Sequence, residues 1–124
     1  MLPDEDVAFL KKKKFNWSVE KCACCGPVLI IREYLLDEKK YDQEKTDLMI
    51  KIPAMYSNAA LDMYYVRPHV KLRANGEFPQ AANQIEKHLE ADWQRFSRHV
   101  PAWTPGVDSL ASFLALVSAE LQKS

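Results

Sequence analysis

The chain has 124 residues, 48% hydrophobic and 27% charged, with 17 basic and 17 acidic side chains and no net charge. That length holds one domain with a real core, residues 1–124 throughout, and leaves little room for two. The balanced charge excludes a bulk field that would draw nucleic acid or a membrane surface, and no run approaches the roughly 20 apolar residues of a membrane helix.

The opening stretch MLPDEDVAFLKKKK has acids before bases and no apolar h-region. It is unlike a signal peptide, which predicts a cytoplasmic protein. Pro3 followed by Asp4, Glu5 and Asp6 marks a helix start, with acids at the positive end of the dipole. Val7, Phe9 and Leu10 give that helix a short apolar face. Lys11, Lys12, Lys13 and Lys14 close it, where cations suit a helix C-terminus. The lysines read either as a solvated face or as a docking edge for an acidic partner.

Residues 15–25 read as a first strand with Trp17 and Val19 on one face. Cys22, Cys24 and Cys25 lie together near its end. An odd number in one cluster is no disulfide framework, and neighbouring cysteines bridge poorly. No second ligand pair stands at zinc spacing, so no metal and no cofactor are expected. Gly26-Pro27 marks a turn. VLIIREY at residues 28–34 is the most β-prone run. Residues 37–45 are charged and connect. In DLMIKI at residues 47–52, Leu48, Ile50 and Ile52 alternate, which predicts one buried face. Pro53 stops that strand, residues 55–61 form a surface turn, and DMYYV at residues 62–66 is a further strand. Consecutive strands with short connections predict an antiparallel four-stranded meander.

Arg67-Pro68-His69 then breaks the sheet, and Asn75-Gly76 is a turn. Ala81, Ala82, Ile85 and Leu89 sit at helical spacing, so residues 79–92 read as a helix. Residues 93–106, WQRFSRHVPAWTPG, combine two tryptophans, two arginines, a serine, a histidine and two prolines. That density is typical of an irregular functional segment. Trp93 and Trp103 are expected to anchor it to the core. Beyond it Val107, Leu110, Ala111, Leu114, Val117 and Leu121 predict a helix with a buried stripe, capped by Thr104 or Asp108. The order predicts an α+β fold with helices on one face of the meander.

This order resembles the ubiquitin-conjugating enzyme fold. Pro53 with Tyr56 resembles that family's proline–tyrosine corner. Arg67-Pro68-His69 stands where the family has His-Pro-Asn, Asn75-Gly76 follows as an Asn-Gly often does there, and Trp103-Thr104-Pro105 resembles its Trp-x-Pro. LPDEDVAFL, DLMIKIP, LDMYYVRP and WQRFSRHVPAWTPGVDSL look more closely like a bacterial branch of the superfamily. The resemblance implies a ubiquitin-like protein and an activating, adenylating enzyme as partners. It also implies that the N-terminal helix and Lys11 to Lys14 face the activating enzyme. The bacterial setting further suggests a role in defence, for which no residue argues.

The departures from the family pattern bear on mechanism. Counted forward from Asn75-Gly76, the family's nucleophilic cysteine falls near Pro79; counted back from Trp103, near Arg95. Neither is cysteine, nor is any residue after Cys25. His69 replaces the motif's asparagine. The implied chemistry is acyl transfer, which needs a nucleophile, a base and a group to stabilise the oxyanion. Ser97 and His99 are two apart and share a face in extended backbone. Ser97 is the expected nucleophile, His99 its base, with Asp92 or Asp108 to orient the imidazole. Arg98, Arg95 or His69 would stabilise developing charge. The product would be an oxyester. The alternative is a conjugating-enzyme-like module that has lost its nucleophile and docks the ubiquitin-like protein or the activating enzyme.

Overall fold

Alternating apolar residues on adjacent segments make a sheet whose two faces bury different sets. The computed structural model describes residues 2–22, 26–36, 39–56, 58–61, 63–79, 82–96, 103–105 and 107–122. Among them α1 spans Asp4–Lys12, β1 Asn16–Cys22, β2 Gly26–Leu35, β3 Lys45–Lys51, β4 Tyr64–Arg67, β5 Gln84–His88, β6 Ala91–Phe96 and α2 Leu110–Gln122. The strands form one antiparallel sheet in the order β1-β2-β3-β4-β6-β5.

Leu29 and Ile31 of β2, Leu48 and Ile50 of β3, and Tyr64 and Val66 of β4 point to one face. There they pack with Leu10 of α1 and with Leu110, Phe113, Leu114, Val117 and Leu121 of α2. The α+β reading therefore holds, with both helices on one face. Val107 is not part of the helical stripe. It stands 76% exposed in a turn before α2. Ser112 caps the helix instead: its Oγ accepts from Ser109 N–H at 3.0 Å and donates to Ser109 C=O at 2.9 Å.

Among the described residues the sheet has six strands rather than four, the expected meander being β1 to β4. Residues 84–96 are not a helix but a hairpin, β5–β6, added to the edge of β4. Its turn is Leu89-Glu90, with φ of 52° and 61°. Two left-handed residues in sequence are the geometry of a tight two-residue hairpin, which carries the right-handed twist of its strands. The helical spacing of Ile85 and Leu89 was coincidental. Trp93 and Arg95 alternate with Gln94 and Phe96 as strand residues do, so the first four residues of the expected irregular segment are sheet. Trp93 is buried, and its Nε1–H donates to His88 C=O at 3.1 Å.

The second face carries a smaller cluster of Val28, Ile30, Met49, Tyr65 and Trp93, with Leu89 and Ala91 against it. Over it lies a charged network centred on Glu86. The Glu86 carboxylate accepts from His88 Nε2 at 2.9 Å, Arg95 Nη1 at 2.8 Å and Tyr65 Oη at 3.3 Å, with Lys51 Nζ at 3.8 Å. Lys51 also sits over the Tyr65 ring, 4.8 Å from its centroid. One carboxylate thus joins β3, β4, β5 and β6. Burial works to raise the Glu86 pKa. The His88 hydrogen bond and the charges of Lys51 and Arg95 outweigh it and hold the carboxyl below its ordinary value.

A carboxyl held low in the folded state stabilises the fold above the unfolded-state pKa and loses that contribution as pH falls through the folded value. Glu86→Gln should therefore cost about 1–2 kcal/mol at pH 7. The difference should shrink below the ordinary value of 4.5 and vanish in stronger acid. Urea unfolding of both proteins from pH 7 to pH 3 checks this. A gap that does not close in acid would show that the ionised carboxylate is not its source.

Candidate functional site

The strands β2 and β4 end, and β3 and β6 begin, along one end of the sheet. There β4 runs into Arg67-Pro68-His69, and an open cleft of about 720 Å³ forms. Glu33, Lys45, Thr46 and Asp47 line one side; Arg67, Pro68, His69, Ile85, Asp92 and Gln94 line the other.

The turn after β4 is fixed from below. Gln94 is 1% exposed, and its amide is saturated by the passing backbone. Its Oε1 accepts from Val70 N–H at 2.7 Å, and its Nε2 donates to Val70 C=O at 3.1 Å and Ala82 C=O at 2.7 Å. Both ends of the long excursion between β4 and β5 are therefore tied to one side chain. Thr46, also buried, donates from Oγ1 to Pro68 C=O at 3.0 Å. Asp42 accepts from Lys71 N–H through its carboxylate and donates its own N–H to Lys71 C=O, each at 2.9 Å. The Asn75-Gly76 turn is formed: Gly76 has φ of 70°, Leu72 N–H donates to Glu77 C=O at 2.8 Å, and Glu77 N–H to Asn75 Oδ1 at 2.9 Å.

On this scaffold His69 is exposed, its ring 5.9 Å from that of Phe78. Arg67 and Lys45 bring positive charge to the cleft; Glu33, Asp47 and Asp92 bring negative charge. Asp47 is engaged, accepting from Glu33 N–H at 3.1 Å across a β-bulge where Glu33 adopts φ of 55°. The cleft holds an imidazole and charges of both signs. Its described hydroxyl, on Thr46, is committed to Pro68.

Ser97, Arg98 and His99 lie outside the described residues, as do Cys24 and Cys25. Phe96, just before Ser97, pairs with Tyr64 at the start of β4. His69 follows the other end of β4, about 10 Å of strand away. Of the two carboxylates considered for His99, Asp92 lines the cleft. Asp108 accepts from Thr104 N–H at 2.7 Å, closing the turn before α2. Lys11 to Lys14 are all exposed at the end of α1.

Pro53 and Tyr56 form a corner, and Tyr56 meets Trp103. Tyr56 N–H donates to Pro53 C=O at 3.0 Å, and its ring lies 6.2 Å from that of Trp103. The Tyr56 hydroxyl donates to the buried Asp6 carboxylate of α1 at 2.6 Å. Burial, then the hydrogen bond and charge of Asp6, push the phenol well above its ordinary pKa, so it stays a donor. This corner joins α1, the β3–β4 connection and the approach to α2. Sequence reasoning missed Gln94 and Thr46. A period-two reading of Trp93 to Phe96 would have placed Gln94 on the buried face.

Among the described residues no group of three His, Cys, Asp or Glu is arranged to hold a metal ion, and no helix is long and apolar enough to cross a membrane. A family model described as prokaryotic E2 family E matches residues 2–124. No curated protein and no solved structure matches the chain.

Gln94→Leu keeps the volume and removes three hydrogen bonds, leaving a buried N–H and two carbonyls unmet. It should destabilise the protein by about 2–4 kcal/mol and speed exchange of the Val70 amide. Urea denaturation with amide exchange reads both. A loss of stability with unchanged Val70 exchange would mean that Gln94 does not hold the turn.

Proposed function

The chain belongs to prokaryotic E2 family E, a bacterial family of conjugating-enzyme-like proteins, and from that membership we propose that it carries a ubiquitin-like protein between an activating enzyme and an acceptor. The carrying observation is the Arg67-Pro68-His69 turn, clamped by Gln94 and Thr46 at the mouth of a polar cleft.

The transfer we propose uses Ser97. Its hydroxyl attacks the thioester carbonyl by which the ubiquitin-like protein is held on the activating enzyme. The hydroxyl proton passes to His99, and the activating enzyme's thiolate leaves. The product is an oxyester on Ser97, which an acceptor amine then opens, returning the serine hydroxyl. Arg98 and His69 are the groups assigned to the oxyanion. Lys11 to Lys14 meet the activating enzyme. The ATP of the pathway is consumed by that enzyme, and this chain needs no cofactor of its own. The proposal places the whole domain, residues 1–124, in the cytoplasm of a bacterium.

One observation favours a second reading. The three cysteines stand at positions 22, 24 and 25, and none follows. A chain without a nucleophile would serve as a docking module for the ubiquitin-like protein or the activating enzyme.

The deciding measurement is an intact mass after incubation with the cognate activating enzyme, ubiquitin-like protein and ATP, with and without reductant. The transfer reading expects an adduct that survives reductant, is released by hydroxylamine and is absent in Ser97→Ala. An adduct that persists in Ser97→Ala overturns the nucleophile assignment. A reductant-labile adduct moves it to Cys22, Cys24 or Cys25. Binding of either partner without any adduct favours the docking module.

A further inference from the structure

Two strands border the sheet, β1 and β5. β5 is five residues long and β1 seven. β1 follows β2 along its whole length, from Asn16 opposite Arg32 to Cys22 opposite Gly26, with no shift of register. Among the described residues no strand pairs with its outer edge. That edge holds no proline and no bulge, two devices by which sheet borders avoid other strands. From this edge and its side chains we infer that two copies of the chain pair through β1, antiparallel about a two-fold axis at Val19. The two six-stranded sheets then run on as one. The inference goes beyond acyl transfer and stands whether or not the chain carries a covalent adduct.

The side chains choose the register. Directly opposed residues of an antiparallel pair share a face, so a two-fold joint must centre on a residue rather than between two. Centred on Val19, the joint engages all seven residues of NWSVEKC. Asn16 then faces the second copy's Cys22, Trp17 its Lys21, Ser18 its Glu20 and Val19 its Val19. No like charges oppose each other, and each unlike contact occurs twice. Centring on Glu20 or on Lys21 would set like charges opposite. Centring on Trp17 or on Ser18 would leave Lys21 without an opposed residue of β1.

Each face of the joint has its own chemistry. On the helix-bearing face, Trp17 and Val19 are half-buried against the main core, and Lys21 beyond them is exposed. There the two Val19 side chains meet, and each Lys21 ammonium reaches the other copy's indole, a cation–π contact. On the opposite face Glu20 is already oriented. Its Oε2 accepts from Ser18 Oγ at 3.2 Å and from Arg32 Nη2 at 3.0 Å. Both contacts use Oε2, which leaves Oε1 to accept from the second copy's Ser18. The strand is preformed, so pairing spends little free energy on ordering it. An unrelated strand would find the same backbone edge but not this match of side chains, which favours a second copy as the occupant. A joint of seven residues is small, so the dimer is weak and reversible.

The test is sedimentation equilibrium of the full chain in reductant, from about 1 µM to about 1 mM. The mass should rise reversibly from 14.3 kDa toward twice that value. Ser18→Glu sets carboxylates opposite Glu20 twice over and should weaken the dimer about tenfold. Adding Glu20→Lys makes those opposed charges unlike and should restore it. Lys21→Glu removes both cation–π contacts and should weaken it several-fold. A chain that stays monomeric to about 1 mM overturns the joint. So does a dimer indifferent to Ser18→Glu and to Lys21→Glu, which would lie on another surface, or a loss in Ser18→Glu that Glu20→Lys does not repair. A dimer seen without reductant and lost with it would be a cysteine cross-link, and overturns the joint as well. Thermal unfolding of each variant shows that the fold is retained; were Ser18→Glu to unfold the chain, Lys21→Glu, at an exposed position, decides alone.

Discussion

One side-chain amide holds the irregular half of this molecule to the regular half. Between β4 and β5 the chain makes a long excursion whose described residues form no named strand or helix. An excursion of that length must place its backbone polar groups somewhere, since a buried unpaired amide or carbonyl is costly. Gln94 resolves this at the two points where the excursion touches the core, Val70 and Ala82. Because Gln94 belongs to β6, the strand that seals the edge of β4, the turn carrying His69 is registered to the sheet itself. Thr46 adds a second tie from β3. The position of His69 thus follows from the sheet's register rather than from its own loop.

The two faces of the sheet are stabilised by different physics. Toward the helices the contacts are apolar and continuous, from Leu10 through Leu48 to Val117. On the other face a small apolar cluster is spanned by ions. There Glu86 is the shared partner of groups from four strands, and its neighbours more than compensate its burial. Such a network contributes less than its number of contacts suggests, because desolvation offsets attraction. Its geometric effect is to align β5 and β6, the strand that bears Gln94, with β3 and β4.

Legibility in the sequence tracked local chemistry. Leu48, Ile50 and Ile52 revealed β3 because alternate residues of a strand share one face. Pro3 with its acids marked α1, and Asn75-Gly76 marked its turn, because those residues have intrinsic backbone preferences. The hairpin was hidden for the same reason. Leu89 and Glu90 adopt left-handed conformations that are ordinarily given to glycine or asparagine, so the turn carried no signature. Arg67-Pro68-His69 was visible as a break in the sheet and as a likeness to a family motif. What holds it was not visible, because Thr46 and Gln94 reach it only through tertiary structure. The serine and histidine of residues 97–99 remain an inference from spacing and resemblance.

The β5–β6 hairpin also changes what the protein shows to its neighbours in solution. A meander ending at β4 would expose the unpaired amides of YYVR, an apolar strand and a ready template for another chain's strand. With β6 paired to it, that template is occupied internally. The new border is β5, five residues long, with Glu86 and Lys87 at its centre. Short, charged borders pair poorly with foreign strands. The hairpin therefore blunts an edge at which foreign sheets could pair, a consequence of topology that stands apart from any chemistry at the cleft.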